Sequence, residues 1–290
     1  RWSWDLMESW EQDALAQCSC FRGGFFLEDA EAVVELDIKQ GPSVLQAVQS
    51  LRDKSMLRCW EPENLDGELR FGMYESIQEF AWEQLEERQP VLVARHAAHC
   101  LKVAEELADG VSEHGGLERL MRLSAERENL LAVFRRNVYD NPEMAARAAL
   151  CLLGIHGSQQ THVSEFSALY DQLPDLESRI RVRLLTHRAG ALALLGQTDQ
   201  ATTDFDAALE QARFLKDQDL VADVQWQLGA MLGWQGEVDA ATRHLKDALA
   251  HYLESRNRTG EACARYQLSN LYKVTSEGEL ARRHIRLALT

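Results

Sequence analysis

His96 and His99 stand three residues apart, a spacing that sets both imidazoles on nearly one face of a helix and would let them share a metal ion. No carboxylate or thiol cluster lies near them in sequence, so the pair reads as surface or helix-packing histidines and no metal site is expected. The six cysteines, 18, 20, 59, 100, 151 and 263, are scattered, and Cys18-x-Cys20 lacks metal-knuckle spacing. Most fall on apolar faces, which reads as buried free thiols in a reducing compartment. The acid groups Glu8 and Glu11, and Glu83, Glu86 and Glu87, have helix-surface spacing and read as solvated faces. The sequence contains no G-x-x-x-x-G-K-[ST] loop to cradle phosphates, no G-x-S-x-G elbow and no H-E-x-x-H pair. No catalytic residue is nominated, and the chain is expected not to be an enzyme.

Binding rather than catalysis is the chemistry to look for, and the elements that would position it read as mainly α. Three helical patterns come first: Trp10, Ala14, Leu15 and Cys18; then Leu27, Ala30, Val33, Val34 and Leu36; then Val44, Val48 and Leu51. Gly23-Gly24 separates the first two, and Gly41-Pro42-Ser43 opens the third with a cap. Met56-Leu57-Arg58-Cys59-Trp60 and the run from Leu69 to Met73 alternate at period two, with turn residues Pro62 to Gly67 between them. Leu69, Phe71 and Met73 take one side of that second strand, Arg70 and Gly72 the other. From Tyr74 the apolar positions Ile77, Phe80, Ala81 and Leu85 switch to helical spacing. Three helices, a small β-hairpin and a strand that runs directly into a helix predict a winged helix over 1–88.

Four words in this region occur in the same order in a known family: Trp10 to Ala16, Phe21-Arg22-Gly23-Gly24-Phe25, Leu51 to Leu57, and Met73 to Ala81. They resemble the winged-helix module of bacterial STAND-type signalling ATPases, relatives of the NB-ARC and NLR switch proteins. Arg95-His96-Ala97 and Glu126 to Ala132 resemble words of the helical linker that follows it. In that family the winged helix packs on a nucleotide-binding domain, and the His of a Met-His-Asp triplet at the strand-to-helix junction contacts ADP. Met73-Tyr74-Glu75 stands at the corresponding place, which makes Tyr74 and Glu75 the nucleotide-sensing candidates, with Tyr replacing His and Glu replacing Asp. A phenol donates a hydrogen bond but carries no positive charge near neutral pH. The resemblance implies ATP or ADP in an intact protein, bound by a domain outside these residues, and no cofactor in this chain. Because Arg1 lies within a segment that already matches, the chain is expected to be the downstream half of a larger protein.

Charge bears on the rival reading, a DNA-binding transcriptional regulator with a repeat module for interactions. Residues 1–100 hold 9 Lys and Arg against 19 Asp and Glu, which is −10 of the total −15. The third helix, where a groove reader would sit, offers only Arg52 and Lys54 around Asp53. Duplex binding draws its affinity from several phosphate contacts, so DNA is disfavoured as a partner. At 290 residues, 46% hydrophobic and 27% charged, the chain has material for two or three packed units. No apolar run is long enough for a bilayer, and a cytoplasmic protein without membrane contact is expected.

After a hinge at Arg88-Gln89-Pro90 the pattern is helical throughout, with a helical linker over 89–142 and tetratricopeptide-like repeats over 143–290. The repeats follow a period of 40, in units of about 143–180, 182–221, 222–261 and 262–290. In that frame Ala201, Ala241 and Ala281 coincide, as do Phe205, Leu245 and Ile285, and Ala208, Ala248 and Ala288. Gly196 and Gly236 share a turn position with Ser276. The usual period is about 34 residues, and the extra residues are expected within 211–219 and 253–260. In the first, weaker unit Gly157 is expected in the turn, Ala168 and Leu169 at packing positions, and Pro174 at the end of its second helix. Stacked helix pairs make an α-solenoid whose first helices line a concave face. That face is expected to carry Arg183, Thr186, Leu194, Asp223, Trp226, Trp234, Tyr266, Asn270 and Lys273, an aromatic-rich set suited to a protein or peptide partner. The expected function is a non-catalytic sensor region, in which the repeats take a partner or trigger and the winged helix relays to the nucleotide-binding domain of the same protein.

Overall fold

The computed structural model describes residues 2–36, 42–111, 115–155, 166–170 and 177–288. The chain is mainly helical and divides into two compact units, Arg1–Ile155 and His156–Thr290. No helix among the described residues is long and apolar enough to cross a membrane.

The first unit runs α1 (Trp2–Asp5), α2 (Ser9–Cys18), β1 (Phe25–Phe26), α3 (Leu27–Val33), α4 (Val44–Asp53), β2 (Arg58–Trp60), β3 (Arg70–Gly72) and α5 (Glu75–Glu83). A 3-10 turn at Glu86–Arg88 leads to α6 (Gln89–Asp109), α7 (Gly116–Ala125), α8 (Arg127–Asn137) and α9 (Pro142–Leu153). Capping explains the starts. The Ser43 hydroxyl accepts from Gln46 N while the Gln46 side chain accepts from Ser43 N at 2.9 Å, a reciprocal box that satisfies two amides at the mouth of α4. Asp29 does the same service for α3 by accepting from Phe26 N at 2.8 Å.

The hairpin forms, with Arg58 opposite Gly72, Cys59 opposite Phe71 and Trp60 opposite Arg70. Its partner β1 is an addition, pairing Phe25 with Phe71 and Phe26 with Arg70 to give an antiparallel sheet of order β1-β3-β2. Two residues are too few to show alternation, so only pairing defines that strand. Leu15, Phe21, Phe25, Val33, Val48, Leu51, Phe71, Leu85 and Leu92 close one core across α2, α3, α4, α5, the sheet and the start of α6.

Two expectations change. Arg88-Gln89-Pro90 is not a break, because α6 starts at Gln89 with Pro90 in its first turn, where the missing amide hydrogen has no partner to lose. The stretch 89–142 folds within the same compact unit as the first 88 residues, α6 packing on both α3 and α8. Glu11 is not solvated either: it is 1% exposed, capping Glu8 N at 2.8 Å and accepting from Ser50 Oγ and Lys54 Nζ. Those hydrogen bonds and the Lys54 charge outweigh burial and hold its carboxyl below the usual range.

In the second unit a short helix, α10 (Ser167–Tyr170), precedes three helix pairs: α11 (Ser178–Leu194) with α12 (Thr198–Phe214), α13 (Gln218–Trp234) with α14 (Val238–Glu254), and α15 (Arg258–Val274) with α16 (Gly278–Ala288). First helices begin at 178, 218 and 258, so the 40-residue period is carried by 17-residue helices and three-residue connections rather than by long loops. Caps repeat in register: Glu177, Asp217 and Asn257 accept from Ile180 N, Leu220 N and Gly260 N. So do the left-handed turn positions Gly196 (φ 76°), Gly236 (φ 84°) and Ser276 (φ 64°), where the chain reverses between paired helices. Ala201, Ala241 and Ala281 are all buried at the close helix approach. In the earliest expected unit, α9 belongs to the first compact unit and Leu169 is buried, while Gly157 and Pro174 lie outside the described residues.

Candidate functional site

The strand-to-helix junction places Met73 half-buried against the core and Tyr74 at the N-cap of α5, where its carbonyl accepts from Ile77 N and Gln78 N at 2.9 Å. The Tyr74 side chain is 58% exposed and Glu75, in the first helical turn, is exposed too. A cavity at the junction, lined by Gly23, Gly24, Arg58, Gly72, Met73 and Gln78 among others, is only about 40 Å³, far below the roughly 300–1,000 Å³ of a small-molecule pocket.

Behind the junction, β3 carries Arg70 into a buried polar network. Arg70 Nε donates to the Gly23 carbonyl at 3.1 Å, Nη2 to the Gly24 and Ala125 carbonyls at 3.0 and 2.7 Å, and Nη1 to Glu126 Oε1 at 2.6 Å. Asn129 Nδ2 donates to Glu126 Oε2 at 2.7 Å and to the Gly24 carbonyl at 2.9 Å, and its Oδ1 accepts from Arg22 N at 2.7 Å. The guanidinium also lies 4.8 Å from the Phe26 ring centre. One arginine thus joins the Gly23-Gly24 loop, the sheet and the α7–α8 junction. Burial pushes the Glu126 carboxyl up, with Arg70 opposing.

Gly24 is fixed by this geometry. At φ 98° its missing Cβ would lie 2.6 Å from the Phe71 carbonyl oxygen and 2.7 Å from Trp60 Cη2. Gly24→Ala should therefore cost about 1–3 kcal/mol of unfolding free energy. Urea titration of the two proteins checks it, and equal midpoints would refute the close approach.

The two histidines separate in role. His99 Nε2 sits 2.8 Å from Asp29 Oδ1, a carboxylate 70 residues away that sequence distance concealed. His96 is fully buried, its ring edge-on to Phe21 and its Nε2 3.4 Å from Asn129 Oδ1. Burial, and next the Arg136 charge, lower its pKa to about 4, so it is neutral at pH 7. Burial likewise pushes the Cys18 and Cys151 thiols up to about 12 and raises those of Cys20 and Cys100. These sulfurs stay protonated, the form that neither attacks nor ligates. Among the described residues no three His, Cys, Asp or Glu side chains gather where they could hold a metal.

In the second unit the expected face is only partly accessible. Thr186 is buried, its hydroxyl spent on the Val182 carbonyl at 2.7 Å, so it presents nothing to a partner. The one-turn bond to the preceding carbonyl is a common fate of a helical threonine. Asp223 is half-buried and accepts from Tyr252 Oη at 2.8 Å, while burial raises its pKa. Trp226 is half-buried against the α14–α15 core, and its Nε1 has no partner among the described residues. Exposed surface comes from Arg183, Leu194, Trp234 (65% exposed), Tyr266 (51%) and Lys273, whose Nζ reaches Asn270 Oδ1 at 3.4 Å. The caps Glu177, Asp217 and Asn257 are repeat-frame residues that the sequence reading passed over. Their signal was a side-chain carboxylate or amide oxygen recurring every 40 positions, one residue before each first helix.

No family model matches the chain, and no curated protein or solved structure matches it.

Proposed function

We propose that this chain is the non-catalytic sensor and regulatory region of a STAND-like signalling ATPase. On this reading the first unit contains the winged helix and its helical extension, the second is a tetratricopeptide-like array that captures a protein or peptide, and ATP or ADP is held by a domain of the intact protein. Capture biases the equilibrium between two domain arrangements by the difference in affinity for them. The observation that carries the reading is the 40-residue recurrence of cap, left-handed turn and buried alanine in successive helix pairs, whose first helices leave Tyr266 and Trp234 exposed. Tyr74 and Glu75, exposed at the strand-to-helix junction, are the groups this reading turns toward nucleotide.

The DNA-binding alternative loses support at α4. Arg52 is paired with Asp53 at 2.9 Å and Lys54 with the buried Glu11, so each cation already has a carboxylate partner within the fold. Two measurements test the proposal. Anisotropy of a labelled DNA duplex should show no tight, salt-sensitive binding by the intact chain, and such binding would favour the regulator instead. Arg183→Glu combined with Tyr266→Ala, both on exposed positions, should abolish partner capture with an unchanged far-UV circular dichroism spectrum. Capture that persists would reject the first-helix face.

A further inference from the structure

The last turn of each first helix repeats one feature that carries the expected face to the turn edge of the array. Leu194, Trp234 and Val274 occupy the same frame position and are 41%, 65% and 77% exposed, with Leu195 (49%) beside the first. A large apolar side chain left in water at every repeat is a contiguous column, since α11 packs on α13 and α13 on α15. The connections and helix starts that border it, 195–202, 235–242 and 275–282, contain Asp199, Glu237, Asp239, Glu277 and Glu279 against a single cation, Arg282. All five carboxylates are exposed. Lys273 is the one cation in the last turns of the first helices, and among the described residues Glu279 alone of the five has a salt bridge, to Arg282.

We infer that this turn edge of the array docks a cationic amphipathic helix. The column supplies apolar seats and the carboxylates select Lys or Arg beside them, because like charges juxtaposed across an interface repel. Spacing selects the helix. Adjacent packed helices lie about 8–10 Å apart, and seven residues of an α-helix advance about 10.5 Å. A partner helix with an apolar residue at every seventh position therefore meets Leu194, Trp234 and Val274 in turn, over a span of about 15 residues. Trp234, the middle seat and the only aromatic one, is the anchor.

This inference rests on the reading of the second unit as a partner-binding array, and the experiment separates the two. The probe is a fluorescein-labelled synthetic peptide of about 15 residues with leucine at every seventh position, flanking lysines and alanine elsewhere. Its anisotropy is titrated with the intact chain. Trp234→Ala with Val274→Ser should weaken binding about tenfold or more. Glu237→Gln, Asp239→Asn and Glu277→Gln together should weaken it several-fold and flatten its salt dependence. A peptide of equal charge with serine for leucine should lose about tenfold. Equal binding of the serine peptide overturns the inference, since it would mean attraction to a chain of net charge −15 and nothing more. So does peptide binding indifferent to Trp234→Ala with Val274→Ser but lost in Arg183→Glu with Tyr266→Ala, a result that leaves the concave-face reading standing. No binding of the leucine peptide also overturns it, while partner capture by the first-helix face stays a separate readout.

Discussion

Arg70→Met should destabilise the first unit by about 3–5 kcal/mol, the cost of leaving one member of a buried ion pair without its partner. The side chains of Arg70 and Glu126 are 3% and 5% exposed, so water cannot replace the lost guanidinium. Three backbone carbonyls, those of Gly23, Gly24 and Ala125, lose a donor at the same moment. The loss has a pH signature. With the opposing cation gone, burial raises the Glu126 pKa further above its ordinary 4.5. A raised folded-state pKa means stability present below the unfolded value and lost as pH rises through the folded one, so the variant's deficit should shrink near pH 4 and be largest at neutral pH. Arg70→Met with Glu126→Leu should cost less than the arginine change alone, since no uncompensated charge remains. Five of the seven tryptophans, 2, 4, 10, 60 and 82, lie in the first unit, so urea unfolding followed by tryptophan fluorescence reports it directly. A pH-independent deficit would show that packing, not charge, is what Arg70 contributes.

The second large effect is loss of stability in mild acid through His96. With a folded pKa of about 4 against 6.5 in the unfolded chain, the unfolded state binds the extra proton between those values. The sign follows: stability is full above about pH 6.5 and falls as pH drops toward 4, by about 2.5 kcal/mol at pH 4.5 for this one ring. Glu11, whose carboxyl is held low, contributes loss only below about pH 4.5, and Glu126, whose carboxyl is raised, acts above that value in the opposite direction, so a fall in stability from pH 6.5 to 4.5 is the histidine's. His96→Gln should be less stable at pH 7, having lost the ring against Phe21, and should lose that fall from pH 6.5 to 4.5. An unchanged slope in that variant would refute the assignment. His187 in the second unit is depressed to about 4 as well, by burial and then by the Arg183 charge, and should give that unit a parallel acid sensitivity.

What can be read along the chain and what cannot divides by the range of the interaction. The 40-residue frame was legible because each repeat declares itself locally, through alanines at the helix contact and Gly196, Gly236 and Ser276 in the turn. The hairpin was legible from alternation, yet its covered second face was not. Arg70 sits on the side opposite Phe71 and would read as solvent-facing, but the Gly23-Gly24 loop and the α7–α8 junction bury it. Pro90 looks like a break in a string, and in a first helical turn it breaks nothing. Thr186 fell on the expected face by frame position, and packing turned it inward.

The sequence by itself determined the helical class, the β2–β3 hairpin, the repeat period and the positions of the turns, all set by propensity and periodicity within a few residues. Tertiary structure alone decided that β1 exists, that Glu11 meets Lys54, that Arg70 meets Glu126 and that His99 meets Asp29, pairs separated by 43, 56 and 70 residues in the last three cases. It also decided which apolar residues of the repeat stay in water. The physical reason is common to all of these: whether a polar group is desolvated, and whether an apolar one is covered, depends on which distant surface arrives against it, and no local period records that.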